Sequence, residues 1–136
     1  MKKVFDFLKK NFVCAVATSS GDKPRSSIVD YYMVGDSVII ATSPDSIKAN
    51  NLKKNNRISM SVHNDTPVFL TIDGKVAEAT KTEVEEYNKL LFAKRPEFKM
   101  LMKDGVMPFV YYKVVIDTVY YNDYSKGMIA TEIIKA

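Results

Sequence analysis

The chain has 136 residues, 46% apolar and 26% charged, the proportions of an ordinary globular domain, which exclude a disordered or collagen-like chain. Its 20 Lys and Arg against 16 Asp and Glu give a net charge of +4, which suits an anionic ligand but lacks the dense basic block of a nucleic-acid arm. A single cysteine and a single histidine exclude an internal disulfide and any metal site needing several of either, and the cysteine count fits a reducing cytosol.

Nothing in the composition divides the chain, so residues 1–136 read as one domain. Val4, Phe5 and Leu8 recur at helical spacing among lysines, predicting a short amphipathic helix over residues 2–10. Phe12 to Thr18 alternates with apolar residues on both faces and reads as a strand buried on both sides. Ser20-Gly21-Asp22-Lys23 is a turn, Pro24 to Val34 a second strand, and Gly35-Asp36 a tight reversal into a third strand, Ser37 to Thr42. Ser43-Pro44-Asp45-Ser46 reads as a helix start, with Ser43 as cap and Pro44 at the first helical position, ahead of a basic helix over 45–55. Arg57–Val62 and Val68–Thr80 follow as strands, the second marked at Gly74 for a bulge. Thr82 and Glu85 are placed as a capping box before a helix running to about Lys94. Pro96 to Lys103 adds a helical segment, Phe109 to Asn122 a long strand, and Met128–Ile134 a final one. The fold expected is α+β and mainly β, a small six-stranded antiparallel barrel with short peripheral helices.

Side-chain catalysis is poorly provided for. There is no Gly-x-Ser-x-Gly elbow, and Cys14 and His63 have no evident orienting partner. Cys14 lies in an apolar strand and reads as core; His63, beside Asn64 and Asp65, reads as surface. An enzyme built this way borrows its chemistry from a cofactor. The informative segment is 21–62. A strand-to-helix junction there gathers the hydroxyls of Thr42, Ser43 and Ser46 around the free N–H groups of a helix start, with Lys48 a turn further on and Arg25 on the neighbouring strand. Such a junction can hold a phosphate through directed donors and a planar guanidinium fork. It is more often the pattern of an ordinary capped helix with solvated lysines, and the Asp45 carboxylate argues against an anion.

The order Pro24-Arg25, paired strands, Thr42, Ser46-Ile47-Lys48, Asn51-Leu52 and Asn56-Arg57-Ile58-Ser59 resembles the pyridoxamine 5′-phosphate oxidase-like family of FMN-binding split β-barrels, over nearly the whole chain. The resemblance implies FMN as cofactor, with Arg25 and Lys48 on its phosphate and hydroxyls from Ser46, Thr42 and the adjoining Ser43. It implies backbone groups of Ser26, Ser27 and Ile28 along the flavin ring, with Ala41 near the ring or ribityl chain. It further implies a homodimer with flavin between protomers, Phe69 on the partner-side wall and Tyr121 as an aromatic against the ring. Two departures stand out. Ile47 replaces the second basic residue that many members carry before the lysine, and after Tyr121 only Lys126 and Lys135 are basic, without the substrate-gripping basic segment of the vitamin-forming oxidase.

The function implied is therefore an FMN-dependent oxidoreductase acting on a small molecule, and not a pyridoxine 5′-phosphate oxidase. A flavin carrier or redox sensor without turnover would use the same pocket, and a deazaflavin or haem would suit the same barrel. A small nucleic-acid-binding barrel is the remaining alternative, on the strength of Lys48, Lys53, Lys54 and Arg57 and the doublets Tyr31-Tyr32, Tyr111-Tyr112 and Tyr120-Tyr121. Neighbours in a strand face opposite ways, so no doublet forms one stacking platform and no nucleic acid is expected. No apolar run approaches a membrane span and the charged N-terminus does not read as a signal peptide, so the expected location is the cytoplasm.

Overall fold

Turn chemistry sets the order of the first strands. The computed structural model describes residues 1–125, 127–128 and 130–136. In it β1 (Val13–Ser20), β2 (Lys23–Val34) and β3 (Ser37–Thr42) form successive antiparallel hairpins. Gly35 turns the second hairpin at φ 60°, a left-handed conformation that glycine adopts without a side-chain clash. β4 (Arg57–His63) pairs β1, β5 (Val68–Glu78) pairs β4, and β6 (Val110–Asp123) pairs β5. Pairing of β3 with β6 closes six strands into an antiparallel barrel, while β7 (Ala130–Lys135) lies outside on β6. The fold is thus the mainly β split barrel expected. The last strand was expected over Met128–Ile134, and its Ile129 lies outside the described residues.

Residues of period two fill the barrel. Tyr31, Ile40, Leu70, Ile72 and Val119 all have 0% exposure, and Val4 and Leu8 of α1 (Lys2–Lys9) pack into the same cluster. The Tyr31 phenol, drawn inside, is satisfied, because its Oη donates to the Leu8 carbonyl at 2.9 Å. A second cluster lies outside the wall, where Tyr32 and Ile39 meet Tyr87 and Leu91 of α3 (Lys81–Lys94). Strand alternation sends Tyr31 to one cluster and Tyr32 to the other.

Four local expectations shift. β1 buries Cys14, Val16 and Thr18 in the barrel, but Val13, Ala15 and Ala17 on its other face remain partly or fully exposed, so within one chain it is buried on one side only. The helix after β3 begins later than Pro44. Ser46 N donates to the Ser43 carbonyl at 3.1 Å, making a turn, and Ser46 caps α2 (Ile47–Lys54) by accepting from Ala49 N at 3.1 Å. The Ser43 hydroxyl accepts instead from Asp45 N, at 3.4 Å. The capping box of α3 is Thr80 with Glu83, in place of Thr82 with Glu85, because β5 already ends at Glu78 and Thr80 is the extended residue. Residues 96–103 form a 3₁₀ segment over Pro96–Leu101 only. The bulge at Gly74 is present as a register shift against β6, and a Cβ there would stand 2.2 Å from the Val115 carbonyl oxygen, which reserves the position for glycine.

Candidate functional site

Strands β2 and β3 pair only between Tyr31–Val34 and Ser37–Ile40. β2 nevertheless begins at Lys23 and stays paired to β1 through Asp30 on its other edge. Where β2 and β3 part, a cleft of about 410 Å³ opens. Ile28 and Asp30 of β2, Ala41 and Thr42 of β3, and Lys48 of α2 line one side; Tyr87, Leu91, Arg95, Phe98 and Phe109 line the other. Along the gap β2 has no β3 ladder opposite it, so its main-chain N–H and C=O groups there are open to a ligand.

The Lys48 end gathers donors. Thr42 Oγ1 and Ser46 Oγ lie 3.1 Å apart, at the entry to α2, whose first N–H groups have no intrahelical acceptor. The Lys48 ammonium is half-buried and forms none of the ion pairs among the described residues. Burial holds its pKa below the usual lysine value, because the charged form loses hydration, and the Cys14 side chain offsets this only in part. A phosphate group would supply an ion-pair partner. Asp45 is exposed in the turn before the helix, outside the α2 first turn that the sequence pattern had assigned to it.

Of the residues singled out from sequence, Ile28, Ala41, Thr42 and Lys48 line the cleft directly, and Ser46 reaches it through Thr42. Ser43 is exposed. Ser26 lies two residues from Ile28 on the same face of β2. Arg25 and Ser27 stand opposite Thr18 and Val16 of β1, on the side over which α2 packs through Asn51 to Thr18 Oγ1 at 3.2 Å. Phe69 sits on β5 opposite His63, its ring 6.1 Å from that of Tyr124. Tyr121 pairs Leu70, packs against the barrel cluster and has the Lys3 ammonium 4.4 Å above its ring. Neither Phe69 nor Tyr121 lines the cleft of the same chain. His63 is exposed on the outer face of β4.

The α3 side of the cleft went unread in the sequence. Tyr87, Leu91 and Arg95 recur every four residues and so share one helix face, which is the signal that was available. Arg95 caps the C-terminus of α3 and grips Asp30 with both arms, Nε to Oδ2 at 2.5 Å and Nη2 to Oδ1 at 2.9 Å. Tyr32 Oη donates to the same carboxylate at 2.9 Å, and the guanidinium carbon lies 5.6 Å over the Phe12 ring. The hydrogen bonds to Asp30 raise the Arg95 pKa further above its already high value.

A second depression, of about 300 Å³, lies between β1, β4 and β5 and is lined by Ser19, Arg57, Ser59 and Asp73 among others. Ser59 donates to Asp73 there at 2.8 Å. Among the described residues no cluster of His, Cys, Asp and Glu is arranged to hold a metal ion, and no helix is long and apolar enough to cross a membrane.

Solved structures share this fold at low identity. General Stress Protein 26 from Bacillus anthracis is 17% identical, with TM-score 0.76 over 99% of this chain and 98% of that one. A FAD-binding protein from Mesorhizobium loti is 17% identical, with TM-score 0.69 over 87% of this chain and 88% of that one. A heme binding protein from Mycobacterium smegmatis is 16% identical, with TM-score 0.69 over 90% of this chain and 52% of that one. No curated protein sequence matches the chain closely. The family model for pyridoxamine 5′-phosphate oxidase matches residues 1–122, and together with the split barrel this establishes that the chain belongs to the pyridoxamine 5′-phosphate oxidase family.

Proposed function

We propose that the chain binds FMN in the cleft between β2 and β3 and serves as a flavin-dependent oxidoreductase for a small molecule, working as a homodimer in the cytoplasm. Family membership and a neighbour described as FAD-binding support a flavin-related function. The observation that carries the reading is the parting of β2 and β3 beside a half-buried lysine that has no ion-pair partner among the described residues. This geometry offers the three things FMN requires. Lys48, the Thr42–Ser46 hydroxyl pair and the start of α2 suit its phosphate, with Ser43 adjoining and Arg25 on β2 opposite Thr18. The open edge of β2 from Ser26 to Ile28 suits the hydrogen-bonding rim of the ring, and Ile28 and Ala41 suit its apolar face.

Bound there, FMN would supply hydride or electron transfer, and the protein's share is to hold, orient and shield it. No side chain of the cleft has to act as an acid or base. Support for the dimer comes from what one chain leaves uncovered. Val13 and Ile28 are 38% and 70% exposed on the outer face of β1 and β2, beside Ala15 and Ala17, and a second copy would cover this apolar surface. Phe69, on the outer face near Val13 and His63, would then reach the flavin of the partner. Tyr121 is half-buried under the Lys3 ammonium.

Purified protein mixed with FMN and desalted should keep flavin absorption. Lys48→Ala and Arg25→Ala each remove a charge-assisted bond of about 1.5–3 kcal/mol, which is roughly 10- to 100-fold in affinity. Unchanged FMN affinity in both variants removes the phosphate assignment. Stopped-flow reduction by nicotinamide cofactors, followed by mixing with quinones or nitro compounds, separates an enzyme from a flavin carrier. Sedimentation equilibrium reads the dimer.

A further inference from the structure

We propose that the α3 end of the cleft binds an uncharged planar molecule, and that Asp30 is the residue that sets this preference by holding Arg95 away from anionic ligands. The inference rests on the flavin reading only for the idea that this molecule is a redox substrate; the binding preference stands on the α3 wall alone.

An arginine in the wall of a cleft is ordinarily a fork for a carboxylate or phosphate. Here the fork is already engaged. Asp30 takes the Nε and Nη2 edge of Arg95 at 2.5 and 2.9 Å, one of the two edges through which a guanidinium recognises an anion bidentately. The pair has no net charge, and its carboxylate, only 14% exposed, faces any incoming anion with a like charge. The arrangement is held from several sides: Tyr32 Oη donates to Asp30, Phe12 lies beneath the guanidinium, and the α3 C-terminus ties the Arg95 backbone to Leu91. Releasing the fork means leaving Asp30 with one donor in a half-closed site, so an anion reaching for this edge has to displace a better-placed one.

The rest of this wall is aromatic and apolar. Tyr87, Leu91, Phe98 and Phe109 line it opposite Ile28. The Tyr87 ring is fixed edge-on between Tyr32 at 5.0 Å and Tyr111 at 5.5 Å. A flat, weakly polar molecule finds stacking and edge contacts there without having to break a hydrogen bond. The cleft therefore has two ends of different character, a cationic one at Lys48 and a neutral aromatic one at α3. The sequence carries the same message: Asp30 stands on β2, two residues beyond Ile28, where a lysine or arginine would have made both ends cationic.

The test uses benzamide and benzoate, which share a shape and differ in charge. Each is titrated into ¹⁵N-labelled wild-type protein, and the Arg95 Nε–H signal and the backbone signals of Ile28, Tyr87 and Leu91 are followed. Benzamide is expected to shift these signals with at least tenfold tighter binding than benzoate. In Asp30→Asn the freed fork should bind benzoate at least tenfold more tightly than the wild-type protein does, and Arg95→Gln added to Asp30→Asn should abolish that gain. Benzoate binding equal to or tighter than benzamide in the wild-type protein overturns the proposal, and so does an absence of benzamide shifts at the α3 wall. The wild-type preference is readable even if a variant fails to fold. FMN binding is scored separately by its absorption, so loss of the flavin reading and loss of this one give different results.

Discussion

The barrel interior and the cleft are built from the same strands, yet they treat polar groups in opposite ways. β2 sends Tyr31 inward, where its phenol finds the Leu8 carbonyl, and Asp30 and Tyr32 outward, where they build the cleft-side network. Inside, Cys14 sits among apolar residues and its thiol is pushed up to about 12, chiefly by burial, so it is an inert packing group at neutral pH. In the cleft, Lys48 keeps a charge that burial disfavours, and no ion pair among the described residues relieves it. One strand thickness separates a side that maximises stability from a side that gives some up. The difference separates two kinds of polar group on the cleft side: Lys48, which has no ion pair among the described residues, and Asp30 with Arg95, which the fold satisfies and which shape the other end of the cleft.

Substitutions can break that division of labour if it is wrong. The largest effect is expected inside. Leu70 has 0% exposure in the barrel cluster, and Leu70→Ala should cost about 2–5 kcal/mol of unfolding free energy in urea titrations. FMN affinity of the folded protein should barely move; a large loss of affinity would mean that interior and cleft are not separable. Gly74→Ala comes next. Its Cβ would meet the Val115 carbonyl at 2.2 Å, a backbone contact that cannot swing aside, and overpacking of this kind costs about 1–3 kcal/mol. A variant as stable as the wild-type protein would show that the bulge relaxes freely. Thr80→Ala should be milder. Losing the Thr80 half of the capping box costs about 1 kcal/mol, and because α3 carries Tyr87, Leu91 and Arg95, amide exchange should quicken along the first turn of α3 while the barrel strands stay protected. Equal quickening in the barrel would tie α3 to the interior more closely than the two separate clusters indicate.

The same division decides what was legible in the sequence. Barrel strands announce themselves by alternation and by turn residues, so the paired order of β1 to β3, the bulge at Gly74 and the long β6 could be placed to within a residue or two. Caps were harder, because Thr80-x-x-Glu83 and Thr82-x-x-Glu85 both fit the capping pattern and only the end of β5 at Glu78 selects the first. Ser43 and Ser46 posed the same ambiguity, resolved by a turn hydrogen bond that leaves Ser46 at the helix start. Of the cleft lining, Ile28, Ala41, Thr42 and Lys48 were legible because they lie within the one continuous stretch that carries the family resemblance. Asp30 and Arg95 were not. They are 65 residues apart, and their meeting depends on how α3 lies across the barrel, which no local pattern encodes.

The subtlest consequence of the comparison is a dependence on pH. A lysine whose pKa in the folded chain lies below its ordinary value of 10.5 binds its proton more weakly when folded than when unfolded. At pH below the folded value it is charged in both states, and the full burial penalty opposes folding. As pH rises from the folded pKa toward 10.5, the folded state is relieved of the charge before the unfolded state is, and the opposition fades. Lys48→Met removes the charge and keeps most of the stem. It should therefore be more stable than the wild-type protein at pH 7, with the gap narrowing as pH approaches 10.5; the other titrating groups are common to both proteins, and Cys14 among them is electrostatically coupled to Lys48. FMN affinity should move the other way. The phosphate favours charged Lys48, so wild-type affinity should fall across that pH window while the weaker affinity of Lys48→Met changes only with the titration of the flavin itself. Thermal melts and FMN titrations on the two proteins from pH 7 upward check both halves. A Met variant less stable than wild type at pH 7 would mean that Lys48 already has a partner in the folded chain, and the underpaired group on which the cleft reading depends would be gone.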